Sequence, residues 1–297
     1  MHTIWSRSYE IDIGPHVFPT RKYRLVKERV VADGTVAEDD VIAPSPATDE
    51  DLARVHTMEY LRKIRENDFT PADRLQLEVP FSPELREAMV LCCGGTLECG
   101  RRSLAEHVCV HLGGGFHHAF AGHGEGFCLL NDVAVAARTL LDEGAVERVG
   151  VIDLDVHHGN GTAAIFADDP AVFTFSMHQE NNYPALKPDG DLDVGLRDRI
   201  GDDDYLAILD RHLTRMLDGR AFDLVFFLAG ADPYREDQLG GLGLTVDGLR
   251  ARDRLVLGAC RRRGVPVAVT LAGGYAFDTD DTIEIHCNTV REAAACE

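Results

Sequence analysis

The sequence predicts an α/β domain built on a mostly parallel sheet with helices on both faces, and three observations carry that prediction. From residue 108 onward, short apolar runs alternate with segments of helical pattern, as a parallel sheet covered on both sides requires. Four of the five runs end in conspicuous polar or glycine-rich residues, the place where a ligand crevice forms beyond the carboxyl ends of parallel strands. The composition fits as well: 297 residues, 45% hydrophobic and 27% charged, can bury a sizeable core and exclude a collagen, a coiled coil or a disordered chain.

The first hundred residues read as mainly helical, with helices over Phe18–Val31, Thr48–Asn67 and Ser82–Glu106. In the second of these, Leu52, Val55, Met58, Tyr60, Leu61 and Ile64 recur at helical spacing, and Thr48 with Asp51 three residues on forms a capping signal. Val36 to Asp51, with Ala43-Pro44-Ser45-Pro46 at its centre, reads as a linker too short to divide the chain, so a single domain over residues 1–297 is expected. The strand runs are Val108–Leu112, Val149–Val156, Val172–Ser176, Leu224–Ala229 and Val267–Leu271. Helices are expected between them at Asp132–Glu143, Asp203–Leu217 and Thr245–Arg263.

Fifty acidic against 30 basic residues give a net charge of −20, a field that repels phosphates and anionic lipid and argues against nucleic acid or a membrane surface as partner. A cationic substrate is drawn in by the same field, although acidity also serves solubility alone. The eight cysteines form no Cys-x-x-Cys pair and sit mostly in apolar runs, so neither a disulfide framework nor a zinc knuckle is expected. No window approaches a membrane span and the N-terminus carries no apolar signal core, which predicts a reduced, cytoplasmic protein.

The strongest signal ends the run beginning at Val149. Asp153, Asp155 and His157 fall at i, i+2 and i+4, so on an extended strand they share one face, with Ile152, Leu154 and Val156 on the other. Two carboxylates ending a buried strand each cost on the order of several kcal/mol unless something cationic sits against them. A metal ion meets that need: Asp155, His157 and a further ligand, Asp232 after the run Leu224–Ala229, leave the open position that a hydrolytic zinc site requires. Each residue taken singly has an ordinary alternative, an arginine pair or helix cap for the acids and a hydrogen-bonded core position for the histidine. The other strand ends carry Gly113-Gly114-Gly115-Phe116-His117-His118 and Ala272-Gly273-Gly274-Tyr275. The glycines lack the endings of a phosphate loop or a dinucleotide fingerprint; they suit a tight backbone turn that lets two imidazoles reach one centre, although taken alone the adjacent histidines also fit a metal pair or two unrelated surface groups.

With these pieces in this order, the sequence resembles the zinc-dependent histone deacetylase family of the arginase and deacetylase superfamily. The matching stretches are Gly114 to Ala119, Gly126-Phe127-Cys128-Leu129-Leu130-Asn131-Asp132, Asp153 to Gly161, Ala229 to Pro233 and Gly273-Gly274-Tyr275. His16-Val17-Phe18-Pro19 and Phe175 to His178 through Asn182-Tyr183-Pro184 look like the compact bacterial and class IV members. The resemblance implies an eight-stranded arginase/deacetylase-like sheet, and a Zn²⁺ (Fe²⁺ being the alternative) on Asp155, His157 and Asp232. It further implies hydrolysis of an N-acyl lysine, acetyl or longer, in a protein or peptide. His118 becomes the general base and acid, His117 backed by Asp153 the second imidazole, and Tyr275 the donor to the developing oxyanion. Phe127 and Tyr183 would wall a tunnel for the lysine stem, with Gly126 against the amide and Phe116 near the floor. A structural K⁺ is implied on the backbone carbonyls of Asp153, Asp155, His157 and Met177 with the Ser176 hydroxyl. One departure is Asn160, which stands behind His118 where many members have an aspartate and should make that ring less basic.

Arginase-type enzymes need two further carboxylates, two residues after the metal-binding histidine and two after the late aspartate; here those positions are Gly159 and Tyr234, so one metal and not two is expected. An acetylpolyamine amidohydrolase remains an alternative, and a non-catalytic acyl-lysine-binding module is another, although no ligand, histidine or tyrosine of the pattern is missing.

Overall fold

The structure, a computed structural model, describes residues 1–296. Its centre is an eight-stranded sheet made of β1 (Thr3–Ile4), β2 (Val41–Ile42), β3 (Val108–His111), β4 (Val149–Asp153), β5 (Val172–Gln179), β6 (Leu192–Leu196), β7 (Leu224–Leu228) and β8 (Val267–Thr270). The strand order is β2-β1-β3-β8-β7-β4-β5-β6 and every ladder is parallel, so all the strands end at one edge. Alternation along the central strands divides the core in two. Val149, Val151, Leu224, Phe226 and Ala268 face one cluster, and Ile152, Val225, Phe227, Val267 and Val269 face the other.

Helix α5 (Pro83–Glu106) lies along β3 and β8 with α6 (Asp132–Asp142) packed beside it. On the opposite face α1 (Lys22–Ala32), α8 (Asp202–Gly219), α9 (Val246–Arg262) and α10 (Thr279–Ala295) form a chain of neighbours, α1 on α10, α10 on α9 and α9 on α8. Ser82, Asn131 and Thr245 cap α5, α6 and α9 through their side chains.

The expected helix Thr48–Asn67 is two helices, Asp49–Ala53 (α2) and Met58–Glu66 (α3). Thr48 and Asp51 do form the capping box, but Thr57 donates its N–H to Ala121 O (2.8 Å) and becomes the N-cap of α3, so tertiary bonds interrupt a pattern that is helical throughout. The expected helix Phe18–Val31 begins only at Lys22, and Phe18 is spent on the site. The stretch Val36–Asp51 is no linker: it supplies edge strand β2, and Ala47 donates to Val90 O of α5. Helices α4 (Pro71–Leu77), α7 (Asn160–Phe166) and α10 and strands β1, β2 and β6 carry too few periodic apolar residues to stand out in the sequence. No described helix is long and apolar enough to cross a membrane.

Candidate active site

The four central strands β3, β8, β7 and β4 are neighbours, so the loops after them meet at one edge of the sheet. The run Val149–Val156 is not one extended strand. Its ladder stops at Asp153, and Asp155 and His157 sit in bends beyond it. The reason is local: the Asp153 carboxylate accepts the Asp155 N–H (3.1 Å) and the Asp155 carboxylate accepts the His157 N–H (2.9 Å), side-chain bonds that replace ladder bonds. The three side chains nevertheless stay together, and the loop after β7 brings Asp232 to them.

Asp155, His157 and Asp232 are all buried, and one donor atom from each lies within 4.8 Å of the others. His157 Nδ1 is 3.0 Å from Asp155 Oδ1 and 3.4 Å from Asp232 Oδ2. Asp155 Oδ2 accepts the Gly273 N–H (2.8 Å) and Asp232 Oδ1 accepts the Val156 N–H (2.9 Å), which anchors both acids to backbone. Asp232 Oδ2, fully buried, has no hydrogen-bond partner. An orphaned carboxylate oxygen facing an imidazole nitrogen and a second acid fits a metal ion, and this two-oxygen, one-nitrogen set suits a divalent cation of the zinc type. Burial and the neighbouring Asp155 raise Asp232 to about 7; burial disfavours charge on His157, but Asp155 and Asp232 override it and hold the ring protonated to about 10. A metal would take the place of that proton. Glycine is needed at 273, where a Cβ would run into both carboxylates.

The histidines arrive from the loop after β3. The buried Asp132 carboxylate accepts the N–H groups of Gly115 (3.0 Å) and Phe116 (2.8 Å) and fixes that loop, and Gly115, at φ +86°, lies where a Cβ would strike Ala272. His117 Nδ1 bonds Asp153 Oδ2 (2.6 Å), His118 Nδ1 bonds Asn160 Oδ1 (2.7 Å), and the two Nε2 atoms are 3.1 Å apart. Burial opposes charge on His117, yet Asp153 and Asp155 outweigh it and lift its pKa to about 9. Burial, with His117 and His157 adding repulsion, drives His118 well below the usual histidine range. One imidazole of the pair is therefore charged and the other neutral.

A narrow slot leads to these groups, lined by Phe18, Phe116, Phe127, Gly126 and Tyr275 among others. Phe127 stacks on Phe18 (6.2 Å between centroids) and meets Tyr275 edge-on (5.9 Å), while Tyr183 stands edge-on to His118 (5.0 Å). Burial, then Asp155 and Asp232, push the Tyr275 phenol far above its ordinary range, so it remains a donor. Ser176, the potassium candidate, is paired with Asp153 across β4 and β5, and its hydroxyl lies 2.9 Å from His178 Nδ1; Met177 is buried beside it. A second His, His, Asp group, His158, His178 and Asp193, lies nearby, its carboxylate already engaged by His158 (3.2 Å) and the Gly190 N–H (2.7 Å).

Sequence reasoning missed several residues. Lys22 is fully buried and donates to Ala272 O (2.7 Å), with its ammonium near the Tyr275 ring; burial lowers its pKa to about 8 against the pull of Asp232, Asp155 and Asp237. Asp237 accepts the Tyr275 N–H (2.7 Å), and Glu125 accepts from the Asn160 amide (2.6 Å). The only signal that could have found them is a polar residue inside an otherwise ordinary segment, since each partner is at least 35 residues away in sequence.

An all-parallel sheet that gathers two acids and an imidazole beside paired histidines at its carboxyl edge defines a hydrolase class with a candidate metal site. The chain belongs to the histone deacetylase family, its residues 16–290 matching the Histone deacetylase domain, and it is a hydrolase of the deacetylase type. It is 41% identical over 271 residues to an uncharacterised protein of Picosynechococcus, covering 91% of this chain and 90% of that one. Histone deacetylase 2 of Arabidopsis thaliana is 30% identical (92% and 74% covered), as is a histone deacetylase-like amidohydrolase of Pseudomonas aeruginosa (87% and 72%). In fold the chain is similar to the crystal structure of an HDAC homolog complexed with SAHA, with TM-score 0.86 and 24% identity over 100% of this chain and 84% of that one.

Proposed function

We propose that the protein is a zinc-dependent deacylase that removes acetyl or longer acyl groups from lysine side chains of peptides or proteins. The observation that carries this reading is the orphaned Asp232 Oδ2, grouped with Asp155 and His157 beside the neutral His118. Asp155, His157 and Asp232 would hold the metal, which supplies a Lewis acid and a water of lowered pKa. Gly159 and Tyr234 leave no second pair of carboxylates, and the Tyr234 hydroxyl donates instead to Asp281 (3.1 Å), so one ion is expected and not two.

The neutral imidazole is the one able to accept a proton, so His118 Nε2 takes it from the attacking water as the oxygen bonds to the acyl carbon. His117, held charged by Asp153, stabilises the negative charge that builds there. The Tyr275 hydroxyl donates to the acyl oxygen as it becomes an oxyanion. The C–N bond then breaks, His118 returns its proton to the departing amine, and a carboxylate and a free lysine amine remain.

Phe18, Phe127 and Tyr275 suit an apolar lysine stem, with Phe116 at the floor, Gly126 at the amide and Tyr183 beside the reacting centre. A structural relative is complexed with SAHA, in keeping with a ligand-binding slot in this reading. Near Tyr183 the Glu78 carboxylate favours a cationic substrate, an acylated polyamine included. K⁺ on Asp153, Asp155, His157, Ser176 and Met177 and a cytoplasmic location complete the reading. Its test is a panel of peptides and polyamines bearing acyl chains from acetyl to myristoyl, compared by kcat/KM. Turnover of acyl-lysine peptides, abolished by chelator and by His118→Ala, is expected. Binding without turnover by metal-loaded protein would refute it, and faster turnover of the polyamines would select that alternative.

A further inference from the structure

Glu125 enters neither the sequence reading nor the mechanism above, yet it is in hydrogen-bond contact with the catalytic pair through one intermediate. Its Oε1 accepts from Asn160 Nδ2 at 2.6 Å, and Asn160 Oδ1 meets His118 Nδ1 at 2.7 Å. Glu125 is itself held: Oε2 accepts from Gln76 Nε2 (2.9 Å), the backbone N–H donates to Cys128 O (3.0 Å), and the side chain is 15% exposed.

We propose that Glu125 is a positioning residue that sets the tautomer of His118 by fixing the orientation of the Asn160 amide. The two ends of an asparagine amide are nearly the same in shape and opposite in hydrogen-bonding sense, so a neighbour must choose between its two orientations. A carboxylate offers only acceptors. Glu125 therefore holds the NH₂ end, which leaves the carbonyl end facing His118, and a carbonyl obliges His118 Nδ1 to be the N–H nitrogen. The lone pair then falls on Nε2, the atom 3.1 Å from His117 Nε2 and the one that accepts the proton in the mechanism. With the amide reversed, its NH₂ would call for a lone pair on Nδ1 and put the hydrogen on Nε2, where it blocks the base. In a site with Asp at position 160 no such chooser is needed, because either carboxylate oxygen accepts. With Asn160, Glu125 sets the Nδ1 side of the ring, and the His117 Nε2 that faces His118 Nε2 at 3.1 Å favours the same form from the other side.

The kinetic half of the test rests on the deacylase reading; the spectroscopic half does not. Histidine ring nitrogens labelled with ¹⁵N report the tautomer by NMR in metal-free and metal-loaded protein, with the His118 signal assigned by its loss in His118→Gln. The native chain is expected to show the Nδ1–H form alone. Glu125→Met, close in shape and without an acceptor, is expected to add the Nε2–H form and to lower kcat at least about tenfold, a part of what a general base contributes, while KM moves less than about twofold. Adding Asn160→Asp to Glu125→Met is expected to restore the Nδ1–H form and most of the lost kcat, which a merely structural role of Glu125 would not allow. The proposal is overturned if Glu125→Met keeps the native tautomer, or if the double variant shows no recovery in tautomer. A change in KM alone would make Glu125 a substrate contact and overturn it as well. A native protein without turnover would refute the deacylase reading and leave the tautomer measurement standing.

Discussion

His117 and His118 meet nitrogen to nitrogen at 3.1 Å, and their surroundings push their pKa values in opposite directions. Burial opposes charge on both rings; Asp153 and Asp155 override it at His117, whereas at His118 repulsion from His117 and His157 adds to it and the uncharged Asn160 amide offsets it only in part. A pair with its affinities set apart can supply a base and a fixed positive charge at one pH.

Replacing Asn160 by Asp favours imidazolium at His118, so the base protonates at higher pH and the acid limb of kcat/KM moves up. Glu125 lies 2.6 Å from the Asn160 amide, and a second carboxylate there would be repelled. The clean form of the experiment is Asn160→Asp with Glu125→Gln, whose amide can donate to the new acid. An acid limb that stays in place in that variant would remove His118 from the role of base.

Tyr275→Phe removes the donor proposed for the oxyanion without touching the three proposed metal ligands. kcat is expected to fall about 10²- to 10³-fold, the range for one oxyanion donor, with metal content unchanged. A loss below about threefold would mean that the oxyanion is held by other groups.

The backbone of the site was legible where chemistry interrupts pattern. Val, Ile and Leu runs gave the central strands, and an aspartate or glycine at the end of each run pointed to the edge where the loops converge. Strands β1 and β2, of two residues each, gave no pattern at all, and the break between α2 and α3 depends on Thr57 reaching Ala121. Lys22, Asp237 and Glu125 were silent for a related reason: each looks like an ordinary surface residue until the fold buries it against a partner distant in sequence.

Stability should fall in mild acid. His56 is buried, donates from Nδ1 to Phe120 O (3.1 Å) and accepts the Asn131 N–H at Nε2 (3.1 Å), so it must be neutral in the fold. Burial lowers its pKa from 6.5 to about 4. The unfolded chain thus binds the extra proton first, and stability present above pH 6.5 is lost as pH falls from 6.5 toward 4, by up to about 3 kcal/mol for this residue. Urea unfolding at pH 7.0 and 5.0 measures the loss, and His56→Gln should shrink it; an equal loss in the variant would place the effect elsewhere.

Divalent metal should stabilise the fold by relieving the crowded acids. Zn²⁺ at about 100 times its Kd is expected to add about 2.7 kcal/mol to stability, seen as a rise in Tm, and Asp232→Asn should abolish most of that rise. A rise as large in the variant would show that the ion binds at another place.

Deacylation rate against metal bound per chain, titrated into chelator-stripped protein, decides whether a single ion drives the reaction. Activity is predicted to climb from zero in proportion to bound metal and to level off at one ion per chain. Full activity in the stripped protein, or a plateau reached only at two ions, would contradict a single metal held by Asp155, His157 and Asp232.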